Sequence, residues 1–377
     1  MKKFILAKIY LVVILIICSS NIFAQTYNIG HISTDFYDNA RNRNIATEVY
    51  YPSDTNGDNV PISLGNFPII VFGHGFLMSW DSYDNFWNSL VPEGYILCFP
   101  TTEMGFAPNH QFFAEDLSFI ATKMQMESQN SSSIFYNSVL PKTGILGHSM
   151  GGGASFLAAE NNPNINTLVN FAAAETNPSA ILAASNITIP SLIFSGEDDC
   201  VAPPVNHQNI LFDSLNSNCK TQINIISGGH CYFANENVLC SFGESSCNPN
   251  LNILRSEQQS VTNDFLKIWL NFSLKSSNRI TYSQYCNGTG IVSQNKVDEI
   301  NIYPNPVTEI LNIDIPLEFI NGKLVLLNMF GQELHKEIIT NKLTKINLSN
   351  FESGNYFIFL KNEAVVKKNK IIKVVHY

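Results

Sequence analysis

The sequence predicts an α/β chain: a mostly parallel β-sheet flanked by helices, followed by a small C-terminal β-sandwich domain. Three observations predict it. Short apolar runs alternate with helical stretches from about residue 67 to residue 270, the pattern of βαβ units whose strands are buried on both faces. A Ser/Asn/Gly-rich stretch at 276–298 breaks that pattern. Beyond it lie only short apolar strands separated by turn signals such as Asn321-Gly322 and Ser353-Gly354-Asn355.

The elements follow in order. Residues 26–34 and 46–53 read as early strands. The run Phe67-Pro-Ile-Ile-Val-Phe72 ends in Gly73-His-Gly75, which fits a buried parallel strand. A helix is expected from Trp80 to Glu93, a strand over 95–100 and a helix over 115–125. Further strands fall at 143–147, 167–171, 190–194 and 221–226, with helices over 207–215 and 252–270.

Residues 1–24 read as a signal peptide: Lys2 and Lys3 start it, an apolar run from Ile9 to Ile17 follows, and small residues lead to Ala24. The run is shorter than the roughly 20 residues that span a bilayer. Cys18 would suit lipidation only with a small residue before it, and Ile17 is not small. The net charge of −9 is unevenly spread. Residues 25–298 hold 10 Lys or Arg against 23 Asp or Glu, whereas residues 299–377 hold 9 against 8. So acidic a main domain lacks the basic stripe that displaces counterions, which excludes nucleic acid as a partner.

Gly147-His-Ser-Met-Gly151 is the strongest chemical signal. It is a G-x-S-x-G pentapeptide with an apolar strand before it and a small-residue helix start after it. Its glycines let the chain turn sharply, so that Ser149 stands clear at the strand end as a nucleophile. Such a serine needs a histidine base and an orienting acid, in the order Ser, acid, His. Asp199, in Ser195-Gly-Glu-Asp-Asp-Cys200 just past a strand, is the expected acid, with Glu197 and Asp198 as rivals in the same loop. His230, directly after the strand ending at Ile226, is the expected base, and His207 is assigned to a helix and a structural role. Oxyanion donors are expected from the backbone N–H groups of Met150 and of Phe76 in the Gly73-His-Gly-Phe76 loop. His74 and His148 are expected in the substrate pocket wall. His31 and His110 have no supporting context. No metal site is expected, since no paired C-x-x-C spacing occurs.

Together, Gly147-His-Ser-Met-Gly-Gly-Gly153, Glu197-Asp-Asp-Cys-Val-Ala-Pro203 and Gly228-Gly-His230 resemble bacterial cutinases and polyester hydrolases, and less closely dienelactone hydrolases and chlorophyllases. The likeness covers about residues 65–275. It implies an α/β-hydrolase fold, a catalytic domain over 25–275 and carboxylic-ester hydrolysis without a cofactor or lid domain. It also supports Asp199, since the matching family acid stands two before the Val-Ala-Pro of this loop. Where several polyester hydrolases carry a tryptophan clamp, this chain has the region of Asn177 and Pro178, which counts against aromatic polymers. A second likeness covers 299–377. Ile302-Tyr-Pro-Asn-Pro-Val307, Leu327-Asn-Met-Phe-Gly331, Ser353-Gly-Asn-Tyr-Phe357 and a lysine-rich end resemble the sorting domain of the type IX secretion system. That implies outer-membrane export, with the secretion machinery as partner.

The leading expectation is therefore a secreted, monomeric serine esterase acting on lipidic or polyester-like esters. The alternatives are a serine peptidase of the same fold and a non-catalytic surface adhesin. Secretion permits disulfides. Cys98, in an apolar run, is expected as a buried free thiol. Cys200 follows the acid and Cys231 follows the base, so a Cys200–Cys231 bridge is expected, with Cys240–Cys247 closing a short loop beyond the histidine. Pairing of Cys200 with Cys219 or Cys286 is the alternative.

Overall fold

A computed structural model describes residues 26–248, 251–275, 286, 301–315, 319–328, 332–361 and 366–374. The expected signal peptide, and the linker apart from Cys286, lie outside the described residues.

The chain opens with a long antiparallel hairpin, β1 (Asn28–Asp38) and β2 (Arg43–Ser53), with the two-residue β3 (Gly57–Asp58) on its edge. Both hairpin strands begin or end beyond the expected bounds, because polar positions such as Ser33 and Glu48 face out of a half-buried pair. Six strands then pair in parallel: β4 (Phe67–Gly73), β5 (Ile96–Pro100), β6 (Val139–His148), β7 (Ile165–Phe171), β8 (Ser191–Gly196) and β9 (Lys220–Ile225). The nine-stranded sheet runs in the order β3-β1-β2-β5-β4-β6-β7-β8-β9.

Successive side chains leave opposite faces of a strand, so each buried strand feeds two cores. Ile69, Val71, Ile96, Cys98, Ile145 and Ile193 enter one, under the helices α2 (His110–Glu127), α3 (Ser149–Glu160), α4 (Ala180–Ala184) and α5 (Gln208–Ser214). Ile70, Phe72, Leu97, Phe99, Leu146 and Phe194 enter the other, under α1 (Asp84–Leu90) and α7 (Arg255–Leu270). The helix expected over 80–93 is a 3-10 turn, Trp80–Tyr83, followed by the short α1. Pro92 and Gly94, the latter at φ +83°, stop it. The helix α6 (Val238–Cys247) was not foreseen. No helix of the described residues is long and apolar enough to cross a membrane.

The C-terminal strands form two antiparallel sheets, β10 (Asn301–Tyr303), β11 (Ile310–Asp314) and β14 (Leu343–Asn347) in one, and β12 (Lys323–Asn328), β13 (Glu333–Ile338), β15 (Gly354–Lys361) and β16 (Val366–Val374) in the other. Leu311 and Ile313 of the first meet Leu324, Leu326 and Ile358 of the second in one separate core, as a sandwich requires.

The disulfides correct the expected pairing. Cys200 bonds Cys247, Cys231 bonds Cys240 and Cys219 bonds Cys286. Cys240 and Cys247 lie on one helix, where seven residues rise by about 10 Å, beyond the ~7 Å a bridge tolerates. Cys200 and Cys231 do not meet because each is bonded instead to α6, Cys231 near its start and Cys200 at its end. Cys98 is buried and free, and burial pushes its thiol pKa far up.

Candidate active site

The site forms where the parallel strands end. Between β6 and α3 the chain turns at Ser149, which takes φ +53°, a conformation that costs a side-chain-bearing residue on the order of 1 kcal/mol. The turn is possible because α3 lies almost on the sheet. A Cβ added at Gly151 would come within 2.5 Å of the His74 carbonyl oxygen and nearer still to the carbonyl of Gly73. Met150 follows in the first turn of α3, where backbone N–H groups have no partner inside the helix.

The β8 and β9 loops bring the expected acid and base together. His230 Nδ1–H donates to Asp199 Oδ2 at 2.8 Å, with both side chains almost wholly buried. The other oxygen of Asp199 accepts from the N–H groups of Val201 at 2.9 Å and Ala202 at 2.8 Å, which fixes the carboxylate. The rivals point elsewhere: Glu197 is exposed and accepts from Ser227 N–H, and Asp198 reaches the β9 loop through its backbone, donating to Gly228 O. His207 is not in a helix but precedes α5, and its Nδ1 accepts from Glu175 N–H at 3.0 Å. His110 Nδ1 likewise accepts from Asn177 N–H at 3.1 Å. These two histidines therefore hold the β7–α4 loop, which has a cis Asn177–Pro178 bond. His31 lies away from this region, between Glu48 and Asp58.

Phe76 sits in the turn after β4 and is half-exposed, 46 %. The turn is held by a buried chain of hydrogen bonds. Gly75 N–H donates to the Tyr83 hydroxyl at 2.8 Å, and His148 Nε2 lies 3.0 Å from the His230 carbonyl. A carbonyl only accepts, so Nε2 carries the proton and Nδ1 is free to accept from Tyr83 O–H at 3.0 Å. Burial, with smaller influences from neighbouring charges, holds the His148 pKa well below the usual histidine value, so the ring stays neutral. The chain Gly75–Tyr83–His148–His230 thus ties the Phe76 turn to His230.

The two histidines expected in the pocket wall are both buried: His148 has no exposed surface, and His74 is 2 % exposed, as little as His230. His74 lies between the carbonyls of Gly75 and Thr102 and packs on Phe113, and burial lowers its pKa. Both support the site from beneath.

Sequence reasoning missed the supports of the histidine loop. Gln258 on α7 donates to Gly229 O at 2.9 Å and accepts from Gly229 N–H at 3.0 Å. Arg255 donates to the carbonyls of Cys231 and Ala234 and lies over the Tyr232 ring. Glu244 on α6 accepts from the N–H groups of His230 and Cys231. The i, i+4, i+7 spacing of Cys240, Glu244 and Cys247, after the capping Asn237, was the available signal for a helix presenting one face to that loop.

A parallel sheet with a strand–turn–helix serine and a buried Asp–His pair at its carboxyl edge defines the chain as a hydrolase of the α/β-hydrolase fold. Residues 39–245, over half of the chain, match the PET hydrolase-like family, and the chain belongs to that family. Residues 301–374 match the secretion system C-terminal sorting domain family. The chain is thus an ester hydrolase carrying a type IX sorting domain, which directs it to the cell surface for secretion.

Proposed function

We propose that Ser149, His230 and Asp199 form a catalytic triad that hydrolyses carboxylic esters through an acyl-enzyme. The observation that carries this reading is the buried 2.8 Å His230–Asp199 hydrogen bond, with His230 packed on His148, the residue before a serine held at φ +53°. His230 Nε2 takes the proton of Ser149 as its oxygen attacks the ester carbonyl, and returns it to the leaving alcohol. Water then repeats the sequence on the acyl-serine and releases the acid. Asp199 keeps the proton on Nδ1 and stabilises the imidazolium. The N–H groups of Met150 and Phe76 receive the oxyanion.

The family description supports polyester-like esters such as PET as substrates, and the exposed Phe76 and Val201 suit an apolar chain. The β7–α4 loop of Asn177 and Pro178 offers no tryptophan, which favours aliphatic or lipidic esters over aromatic ones. The domain reading is residues 1–24 as signal peptide, 25–275 as catalytic domain, 276–298 as linker and 299–377 as sorting domain, with the enzyme acting as a monomer. The test is hydrolysis of p-nitrophenyl esters together with fluorophosphonate labelling. Ser149→Ala and His230→Ala should each abolish turnover with the fold intact, and His207→Ala should not. Loss with His207→Ala and normal turnover with His230→Ala would overturn the base assignment.

A further inference from the structure

Outside the triad, the histidine loop meets a second buried carboxylate. Glu244 is 3 % exposed. Its Oε1 accepts from His230 N–H, and both of its oxygens lie 3.3 Å from Cys231 N. No lysine or arginine forms an ion pair with it among the described residues. Taking a carboxylate out of water costs several kcal/mol, so two backbone donors and the attraction of Arg255 at a distance are a poor return for it in a purely structural position.

Its surroundings are built to hold it there. Gly229 lies so close that an added Cβ would strike the carboxylate and Leu251. The helix that carries it, α6, is bonded through Cys240 to the residue after His230 and through Cys247 to the residue after Asp199. Cys240, Glu244 and Cys247 share one helix face. The acid loop and the base loop are therefore each anchored to that face, and Glu244 occupies its centre.

We propose that Glu244 is a positioning residue, which fixes the His230 main chain so that the imidazole keeps its orientation between Asp199 and Ser149. The inference rests on the triad reading above. Asp199 orients the ring through Nδ1, and Glu244 orients the peptide that bears it. Burial raises the Glu244 pKa. The N–H groups of Cys231 and His230 and a charge on the imidazole oppose that, while Asp199 adds to it. The carboxylate and an imidazolium thus attract each other at the moment the ring accepts the serine proton.

The test removes the charge at constant shape with Gln and withdraws it at constant charge with Asp. Glu244→Gln and Glu244→Asp are assayed on p-nitrophenyl acetate, with active sites titrated by the burst from diethyl p-nitrophenyl phosphate so that misfolded material does not count. The expected result is kcat per site lowered about 10- to 100-fold, the cost of a catalytic group displaced by up to ~1 Å. KM should stay within about twofold, and diethylphosphorylation of Ser149, with release of p-nitrophenolate, should slow by the same factor as kcat. Should Glu244→Gln fail to fold, Glu244→Asp carries the same comparison, because it withdraws the carboxylate by one methylene. Ser245→Ala, on the exposed side of α6, should leave kcat unchanged. Kcat per site within twofold of wild type in the folded variants overturns the inference, as does a lowered melting temperature with normal kcat. Ser149→Ala and His230→Ala run alongside. If they remain active, the triad reading fails; if they are dead while Glu244→Gln is normal, only the positioning inference fails.

Discussion

Replacing Gly151 with alanine should disable the enzyme by pushing its nucleophile turn away from the sheet. The added Cβ would sit 2.5 Å from the His74 carbonyl oxygen and closer to Gly73, against about 3.4 Å for an ordinary contact. All of those atoms are backbone, so no side chain can swing aside. The helix α3 and strand β4 must separate by about 1 Å, at a cost of about 3 kcal/mol, the upper end for overpacking. Ser149 moves with α3 and Phe76 with β4, so the proposed nucleophile and the proposed oxyanion donor shift apart. A displacement of that size costs about 100-fold in rate. Urea unfolding measures the first effect, and single-turnover acylation by a p-nitrophenyl ester the second. Gly243→Ala is the control: it lies in α6 with nothing within 4 Å of an added Cβ, so it should gain about 1 kcal/mol from helix propensity. If Gly151→Ala unfolds within 1 kcal/mol of wild type and acylates at the normal rate, the close-packing argument is wrong.

Three further outcomes follow from the buried network and the domain boundary. Tyr83→Phe strands the Gly75 N–H and His148 Nδ1 in a dry interior, and should lower stability by about 2 kcal/mol and slow turnover; unchanged urea midpoints would show that the chain is not held this way. Burial holds the His148 pKa well below the usual histidine value, so below about pH 6.5 the unfolded chain protonates this residue while the folded chain does not. Stability should therefore fall as pH falls through 6.5, by up to about 1.4 kcal/mol per pH unit for this histidine. Glu244 and Asp264, whose pKa values burial raises, oppose this only as they begin to take up protons. Urea midpoints at pH 7.5, 6.5 and 5.5 check it, and a flat profile refutes it. A chain of residues 25–290, which keeps Cys286 for its bond to Cys219, should hydrolyse esters as the full chain does yet remain in the cell. Assays of the purified fragment and of the culture medium test the two halves, and an inactive folded fragment would contradict the domain reading.

Much of the fold was legible because its strands are buried on both faces. Runs such as Phe67–Phe72 and Tyr95–Pro100 are apolar throughout, and only a parallel sheet between two helix layers uses such runs. The Asp199–His230 meeting was legible for a related reason: adjacent parallel strands release their loops at the same edge, so order along the chain becomes proximity. What stayed hidden depends on direction rather than position. Neighbours of two touching residues need not touch, and Cys200 and Cys231 are bonded to α6 instead of each other. That helix was obscured by Gly243 and three serines, all weak helix formers, and it is pinned by two covalent bonds rather than by propensity. The burial of His74 and His148 stayed hidden because a histidine in a glycine-rich turn looks the same in sequence whether it is open to solvent or enclosed.

The connectivity of the bridges also constrains how the enzyme can be assembled. The Cys231–Cys240 loop, nine residues in separation, is nested inside the 47-residue span of Cys200–Cys247, and the 67-residue span of Cys219–Cys286 interlaces with the latter. Chain ends nine residues apart meet at an entropic cost about 1.5 kcal/mol lower than ends 47 or 67 apart. Oxidation of the reduced chain should thus join α6 to the base loop first and bring in the acid loop afterwards. Quenching with iodoacetamide and mapping the earliest one-disulfide species would show Cys231–Cys240 in that case, and a predominance of either long-span bridge would rule the order out. An exported chain would then finish its active site only in an oxidising compartment, where it can no longer act on the esters of the cytoplasm that made it.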